Sequence, residues 1–187
     1  VRDDPFMLPG SPAIADTMRR QDDRLMLCEN APAVVETLRA EMRGPGIAVH
    51  QRDGYGAWAL LPPAEKRGLV LVDPAFEARD ELDQMLTFAK QAVGRFAHGI
   101  YAFWYPVKSQ HSVDRFARRL AQQVGRDVLD ARLHIEAPRD GRMCGCGLAI
   151  LNPPWAFAQA LPDALRALQA VLAQDRGAAH HIEHHTP

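Results

Sequence analysis

The apolar residues of the chain fall into two kinds of segment, short unbroken runs and longer stretches with helical spacing. The short runs, such as Leu69–Val72, are typical of strands that are buried on both faces of a parallel sheet. In the longer stretches the apolar residues recur every three or four positions, which predicts amphipathic helices that pack on the sheet. The alternation of the two kinds predicts one α/β layer structure.

The predicted elements begin with a helix that Ser11 caps, with Pro12 at its first position. Strands are predicted at 24–29, 47–51, 69–72, 99–107, 128–135 and 143–152. Helices are predicted at 31–43, around Trp58, and at 79–96, 112–124 and 156–173. The strand 128–135 alternates apolar and polar residues as an antiparallel strand does, so we expect the last two strands to form a hairpin.

The length of the chain, 187 residues, is sufficient for one domain with its own core. We assign residues 1–174 to this domain and residues 175–187 to a polar, histidine-rich tail that frays. No apolar run approaches the ~20 residues that span a bilayer, so no membrane partner is expected. Three cysteines do not suggest a disulfide framework, which favours a reducing cytoplasm. The net charge of −1 neither requires nor excludes a nucleic-acid partner.

Carboxylates follow three of the predicted strands, at Glu29, Asp53 and Asp73. In open α/β sheets ligands bind beyond the carboxyl ends of the strands, so we expect the three side chains to line one cleft. Glu29 could hold a ribose hydroxyl pair, Asp53 could accept a hydrogen bond from an adenine amine, and Asp73 would face a substrate. Each acid alone is more often a turn or helix cap, but three in succession favour a shared ligand site.

The turn after the strand 69–72 is stiff. Pro74 fixes its own φ and moves Asp73 away from helical geometry. The stretch Asp73-Pro74-Ala75-Phe76 resembles the Asp-Pro-Pro-aromatic motif of amino-group methyltransferases, with Ala75 in place of the second proline. A reacting group would therefore be placed at Asp73.

Further stretches match one family over nearly the whole chain and in the family's order. They are Pro9-Gly10-Ser11-Pro12, Leu27-Cys28-Glu29, Asp53-Gly54-Tyr55, Leu61-Pro62-Pro63, Arg67 to Pro74, Arg95 to Tyr101, Trp104-Tyr105-Pro106-Val107 and Leu151 to Trp155. On these residues the chain resembles the RlmJ-type 23S ribosomal RNA adenine-N6 methyltransferases. The resemblance implies a Rossmann-like class I methyltransferase fold, with a mostly parallel sheet and a C-terminal antiparallel hairpin.

The resemblance also implies an activity and a set of site residues. The activity is N6-methylation of an adenine, and the partner is 23S rRNA. S-adenosyl-L-methionine would be bound by Ser11, Glu29, Asp53, Gly54 and Asp73. The catalytic residues would be Asp73, Pro74 and Phe76. In that role the Asp73 carboxylate and the Pro74 carbonyl would hold the target amine, and Asp73 would accept its proton. Phe76 would stack on a base pulled out of its helix, with plain core packing as the alternative.

Two departures from the family pattern bear on activity. Ala75 and Phe76 replace the usual second proline and tyrosine, and the family's first strand and glycine-rich cofactor loop have no counterpart in the chain. We therefore expect a fold that is incomplete at the N-terminus, binds the cofactor weakly or not at all, and self-associates through unpaired edges. One alternative is an inactive, truncated remnant that binds RNA or a partner. Another is an amino-methyltransferase that acts on DNA or protein glutamine.

Four other motifs have structural interpretations. Asn152-Pro153-Pro154-Trp155 also fits the methyltransferase motif but follows a late, glycine-rich strand, so we interpret it as a structural turn or a wall of the substrate cleft. Cys144 and Cys146 lack a partner pair at zinc spacing, which favours packing. Arginines on the helix 112–124 indicate a solvated face, with RNA phosphates as the alternative. A disordered tail that picks up metal only incidentally is the interpretation of His180, His181, His184 and His185.

Overall fold

The computed structural model describes residues 8–139 and 141–187, along which strands and helices alternate. The strands are β1 Leu25–Glu29, β2 Ile47–Gln51, β3 Leu69–Val72, β4 Ile100–Val107, β5 Val128–His134, β6 Gly145–Leu151 and β7 Ala179–His185. The α-helices are α1 Ser11–Met18, α2 Pro32–Glu41, α3 Glu81–Arg95, α4 Gln110–Val124 and α5 Trp155–Leu172, and a 3₁₀ helix spans Gly54–Leu60. In these ranges no helix combines the length and the apolar character that crossing a membrane requires.

The chain divides into two compact units, Val1–Ala57 and Trp58–Pro187. The first unit contains α1, β1, α2 and β2, and the second contains β3 to β7 with α3 to α5. The assignment of residues 1–174 to a single domain stays a prediction.

The first unit is built on a parallel pair of strands. Leu25 of β1 lies opposite Ile47 of β2, and Glu29 lies opposite Gln51. Helix α2 connects the two strands, and its Val35 is fully buried. This strand–helix–strand unit confirms the alternation that the apolar pattern predicts, since parallel neighbours require such a crossover.

The first helix differs from the prediction at its start. Ser11 is already helical, and Gly10 takes the cap position in an extended conformation without a side-chain hydrogen bond. The prediction that Ser11 caps the helix is therefore wrong. Pro12 lies within the first turn, where its missing N–H would have no intrahelical partner, so it permits this earlier start.

The second unit contains a mixed sheet of five strands in the order β3-β4-β6-β5-β7. Strands β3 and β4 are parallel, and all other neighbours are antiparallel, so the expectation of a mostly parallel sheet is wrong for this unit. The predicted C-terminal hairpin is confirmed as β5 and β6. Strand β6 lies between β4 and β5, so the hairpin joins the sheet through β6, and β7 lies at the edge beyond β5.

Side chains on both faces of this sheet pack against helices. On one face Phe103 of β4 meets Phe88 of α3 edge-on, with ring centroids 6.4 Å apart, and Tyr105 meets Phe116 of α4 at 5.6 Å. On the opposite face α5 packs on a buried apolar cluster whose members are Leu129, Ala131, Leu133, Ile150, Leu161 and Leu165. The core of this unit therefore lies around β4, β5 and β6.

Strand β3 lies at the edge of the five-stranded sheet. Its Leu69 is 67% exposed and its Leu71 is 48% exposed. The prediction that this strand is buried on both faces is wrong, because among the described residues it pairs with β4 alone and its outer leucines are not covered. The expected exposure of apolar surface is confirmed at these two leucines.

The C-terminal residues form a strand, so the prediction of a frayed tail is wrong. Strand β7 runs antiparallel to β5, with Ala179 opposite His134 and His185 opposite Val128. Ile182 packs against the apolar cluster under α5. Pairing with β5 satisfies the backbone of the tail, and one half-buried isoleucine anchors it despite its polar composition. Its histidines therefore alternate between the two faces of the sheet.

Candidate active site

The turn after β3 carries three of the predicted site residues. Val72 pairs with Phe103, so Asp73 lies level with Trp104 on the neighbouring β4. Asp73 is exposed, and its carboxylate forms no hydrogen bond or ion pair within the part of the chain that the structure describes. Pro74, which follows it, is half-buried. Both Asp73 oxygens are thus available to a ligand.

Phe76 adopts an unusual backbone conformation in this turn. Its φ is +54°, in the left-handed region that bulky residues rarely occupy and that is enriched at functional sites. The Phe76 ring meets the Trp104 ring edge to face, with centroids 5.8 Å apart and planes inclined by 70°. Phe76 is half-buried, so this residue is still partly accessible to a ligand at the turn.

The Asn152-Pro153-Pro154-Trp155 turn lies at the opposite end of the strands of the same sheet. Strand β6 runs antiparallel to β4, so Asn152, which follows β6, lies level with the start of β4. The Asn152 side-chain amide donates to the carbonyls of Ala97 at 3.0 Å and Gly99 at 2.7 Å. Its interpretation as a structural turn is confirmed by these contacts, since they join the end of β6 to the loop before β4.

Glu29 and Asp53 lie at one edge of the two-stranded sheet. Glu29 ends β1, Asp53 follows β2, and the N–H of Arg52 donates to the Glu29 carbonyl at 2.9 Å. One carboxylate oxygen of Glu29 accepts a hydrogen bond from the N–H of Ala31 at 2.7 Å. Asp53 accepts one from the N–H of Tyr55 at 2.9 Å.

Each of these two acids therefore caps the backbone that follows it, as the simpler alternative predicts. The second carboxylate oxygen of Glu29 and of Asp53 has no partner among the described residues. Capping thus leaves one acceptor free on each side chain. Asp73 belongs to the second unit, and its convergence with Glu29 and Asp53 on one cleft stays a prediction.

Ser11 and Gly54 complete the predicted cofactor residues. Ser11 is half-buried at the start of α1, and Gly54 is exposed at the start of the 3₁₀ helix. A Cβ atom added at Gly54 would meet no atom within 4 Å. Packing within the chain therefore does not require glycine at this position, which leaves a ligand's approach as a reason for it.

A buried polar network on β4 and β5 was not found by sequence reasoning. The Tyr105 hydroxyl donates to Asp130, and the Arg132 guanidinium donates to Asp130 at 2.5 Å and also to Asp114 of α4. Asp130 and Arg132 are each 1% exposed. The alternation Asp130, Arg132, His134 is a signal for polar groups on one face, but it is equally typical of an edge strand whose face is solvated.

Gly147 makes room for this network. It lies opposite Tyr105 on β4 and opposite Arg132 on β5. A Cβ atom at Gly147 would overlap the Tyr105 ring, so glycine lets the phenol lie across β6 and reach Asp130. Burial raises the pKa of Tyr105, and the negative charge of Asp130 raises it further, so the hydroxyl keeps its proton.

Asp130, Glu183 and His185 form a group of possible metal ligands, with their ligand atoms within 4.8 Å of one another. The Asp130 oxygen that lies 3.6 Å from His185 Nε2 already accepts a hydrogen bond from Arg132. The Arg132 guanidinium, 2.5 Å from Asp130, opposes the binding of a metal cation here, because like charges repel strongly in a buried site. We therefore assign the group to the ion-pair network.

The other polar motifs have structural partners. The Cys144 thiol is buried and donates to the Val107 carbonyl at 3.3 Å, as expected for packing. On α4, Arg119 pairs with Asp83 of α3 at 2.7 Å. Its neighbour Arg118 is exposed, as on a solvated helix face.

The family model described as ribosomal RNA large subunit methyltransferase D, RlmJ, matches residues 3–183. The chain belongs to this family. Two curated RlmJ relatives are the ribosomal RNA large subunit methyltransferase J of Escherichia coli, 35% identical over 167 residues, and that of Haemophilus influenzae, 33% identical over 181 residues. The matches cover 88% and 95% of this chain but 60% and 64% of the relatives. This RlmJ-family chain thus spans less than two thirds of the length of the curated relatives that it matches.

A solved structure agrees with the RlmJ assignment at the level of the fold. The crystal structure of a protein from Legionella pneumophila superposes with a TM-score of 0.83 at 32% sequence identity. The superposition covers 94% of this chain and 66% of the other. The predicted Rossmann-like class I methyltransferase fold is confirmed, as is the family to which the sequence motifs point.

Proposed function

We propose that this chain catalyses the S-adenosylmethionine-dependent N6-methylation of an adenine in 23S rRNA. The observation that supports this most directly is the unpaired Asp73 carboxylate on the turn after β3, with the half-exposed ring of Phe76 three residues further along. The names of the Escherichia coli and Haemophilus influenzae relatives specify methylation of large-subunit ribosomal RNA. Because the chain matches only part of those relatives, its own activity and substrate are proposals.

Asp73 and Pro74 supply the groups that this chemistry needs. The exocyclic nitrogen of adenine is a poor nucleophile because its lone pair is delocalised into the ring. Hydrogen bonds from that amine to the Asp73 carboxylate and the Pro74 carbonyl favour a pyramidal nitrogen, whose lone pair is more available. Asp73 then accepts the proton that the amine releases.

Phe76 supplies a surface for the target base. Its ring is fixed on one side by Trp104 and is half-exposed. An aromatic ring next to a hydrogen-bonding turn can stack on a base that has left its helix. The favoured substrate is therefore an RNA segment whose adenine unstacks easily, such as a loop or a partly assembled region of 23S rRNA.

The acceptor set of the first unit fits S-adenosylmethionine. Glu29 and Asp53 each keep one free oxygen, which suits the hydroxyls of a ribose and the amine of an adenine. The other residues in the proposed cofactor set are Ser11, Gly54 and Asp73. When bound, the cofactor supplies a methyl group activated on a sulfonium. The proposed site of action is the cytoplasm, where ribosomal RNA is available.

The proposal is tested by product analysis. The 187-residue chain is incubated with millimolar isotope-labelled S-adenosylmethionine and unmodified 23S rRNA, since weak cofactor binding is expected. Digestion to nucleosides followed by mass spectrometry should detect labelled N6-methyladenosine. Binding of rRNA without any transfer would favour the RNA-binding alternative, and transfer to DNA or to a glutamine peptide alone would move the activity to another substrate.

A further inference from the structure

Trp104 lies beside the turn that carries the candidate catalytic residues. Strand β4 pairs with β3 on one side and with β6 on the other, so the backbone at Trp104 is held from both sides. On β6, Leu148 lies directly opposite Trp104. The backbone position of Trp104 is therefore fixed independently of Phe76.

The indole holds a residue that is in an unfavourable conformation. Phe76 has a φ of +54°, which a phenylalanine adopts only when its surroundings impose it. Among the described residues, the Phe76 ring contacts the ring of Trp104, edge to face, with centroids 5.8 Å apart. Removing the indole would remove this contact and with it a restraint on the orientation of the Phe76 ring.

Plain core packing does not account for Trp104. The aromatic residues next to it on β4, Phe103 and Tyr105, point to the opposite face and are fully buried, whereas Trp104 is only half-buried. On the face that Trp104 shares with β3, Leu69 and Leu71 are largely exposed. Trp104 therefore stands at the border of the core, where its ring contacts Phe76.

We propose that Trp104 is a positioning residue, whose indole holds the Phe76 ring in the orientation in which it stacks on the target adenine. This inference rests on the proposed function of the Asp73 turn. Trp104 itself touches neither the reacting amine nor the transferred methyl group. It acts through Phe76, so its effect should disappear once the Phe76 ring is removed.

The kinetic test compares Trp104→Leu and Trp104→Phe, alone and combined with Phe76→Leu, in the methylation of 23S rRNA. Trp104→Leu should lower kcat by about tenfold with KM for RNA changed less than about threefold, whereas Trp104→Phe, which keeps an aromatic edge, should restore most of it. Trp104→Leu with Phe76→Leu should be no slower than Phe76→Leu alone, since coupled residues are not additive. Full additivity would overturn the inference.

A second measurement does not depend on activity. Phenylalanine ring resonances of the isotope-labelled chain report the Phe76 environment, because a ring-current shift requires the indole nearby. Trp104→Leu should move and broaden the Phe76 signals, while Trp155→Leu, the same substitution at a residue that is 78% exposed on α5, should not. Unchanged Phe76 signals in Trp104→Leu overturn the inference. An inactive wild-type chain would overturn the proposed function instead, with this spectrum still deciding whether Trp104 orients Phe76.

Discussion

Asp73 and Asn152 lie at opposite ends of the ladders that β4 forms with its two neighbours. Asp73 follows β3 and lies level with Trp104, whereas Asn152 follows the antiparallel β6 and lies level with Ile100. Both residues begin a stretch that fits the amino-methyltransferase motif, yet only Asp73 stands at the carboxyl edge of the parallel strands, where ligands bind in such sheets. The direction of β6 thus distinguishes the two motifs, which their amino-acid sequences alone do not distinguish.

Asp73→Asn should lower methyl transfer by about a hundredfold or more while leaving the affinity for S-adenosylmethionine within a few-fold. Asparagine keeps the shape and one acceptor oxygen, but it is a poor proton acceptor. Single-turnover rates and calorimetry of the same preparations provide both quantities. Asn152→Ala is the matched control and should be much milder. The reverse ranking would move the active site to the other motif.

Asn152 should matter for stability instead. Asn152→Ala removes two hydrogen bonds, to the Ala97 and Gly99 carbonyls, and places alanine at a φ of +53°. We expect a loss of about 1–3 kcal/mol in the free energy of unfolding, measured by denaturant titration. Asn152→Gly removes the hydrogen bonds without the backbone strain, so it should lose less. Equal stability of Asn152→Ala and wild type would contradict the structural role.

Glu29→Gln should weaken S-adenosylmethionine binding by about tenfold, a loss of ~1.4 kcal/mol. Glutamine keeps an oxygen that can still accept from the N–H of Ala31, so the cap is preserved while the free charged acceptor is lost. Calorimetry at high protein concentration measures the change. Glu36→Gln on the exposed side of α2 is the control and should bind like wild type. An unaffected Glu29→Gln would remove this carboxylate from the cofactor site.

Stability should fall as the pH is lowered through about 6.5, the usual pKa of histidine. Burial lowers the pKa of His134, and the nearby His181 and Arg132 lower it further. The unfolded chain then binds a proton before the folded chain does, so folding is penalised below pH 6.5 until His134 is protonated in both states. Melting temperatures from pH 8 to 5 should fall less steeply in His134→Asn than in wild type.

The chain should self-associate through the edge strand β3. Leu69 and Leu71 are largely exposed on a strand whose outer backbone is unpaired within the described residues, which is a template for pairing with another chain. Leu71→Lys should shift sedimentation profiles towards the monomer. Val171→Lys on α5, at a residue that is 82% exposed, places the same charge elsewhere and should not. A monodisperse wild-type monomer would refute this.

The Asp73 turn could be predicted because its signals are local. A short apolar run, an acid and a proline specify a strand and a stiff exit from it, whatever the rest of the chain does. The contact between Phe76 and Trp104 could not be predicted in the same way. It depends on the pairing of β3 with β4, which brings together residues that are 28 positions apart in the sequence.

The C-terminal strand could not be predicted, because its own sequence carries no strand signal. Its histidines and Glu183 give it a composition typical of disorder, and Ile182 is its one large apolar residue. Its order comes from backbone pairing with β5 and from the contacts of Glu183 with Arg132, at 4.0 Å, and of His185 with Asp130, at 3.6 Å. Such a strand is specified by the surface it joins rather than by its own pattern.

Gly147, Tyr105 and Asp130 depend on one another for space and for hydrogen bonds. Because a Cβ atom there would occupy the space of the Tyr105 ring, no single substitution at Gly147 can be accepted while the tyrosine remains. Tyr105 in turn cannot shrink without leaving buried Asp130 short of a donor. In evolution the three positions should therefore change together or not at all, so a relative with a larger residue in place of Gly147 should also have replaced both the tyrosine and the aspartate.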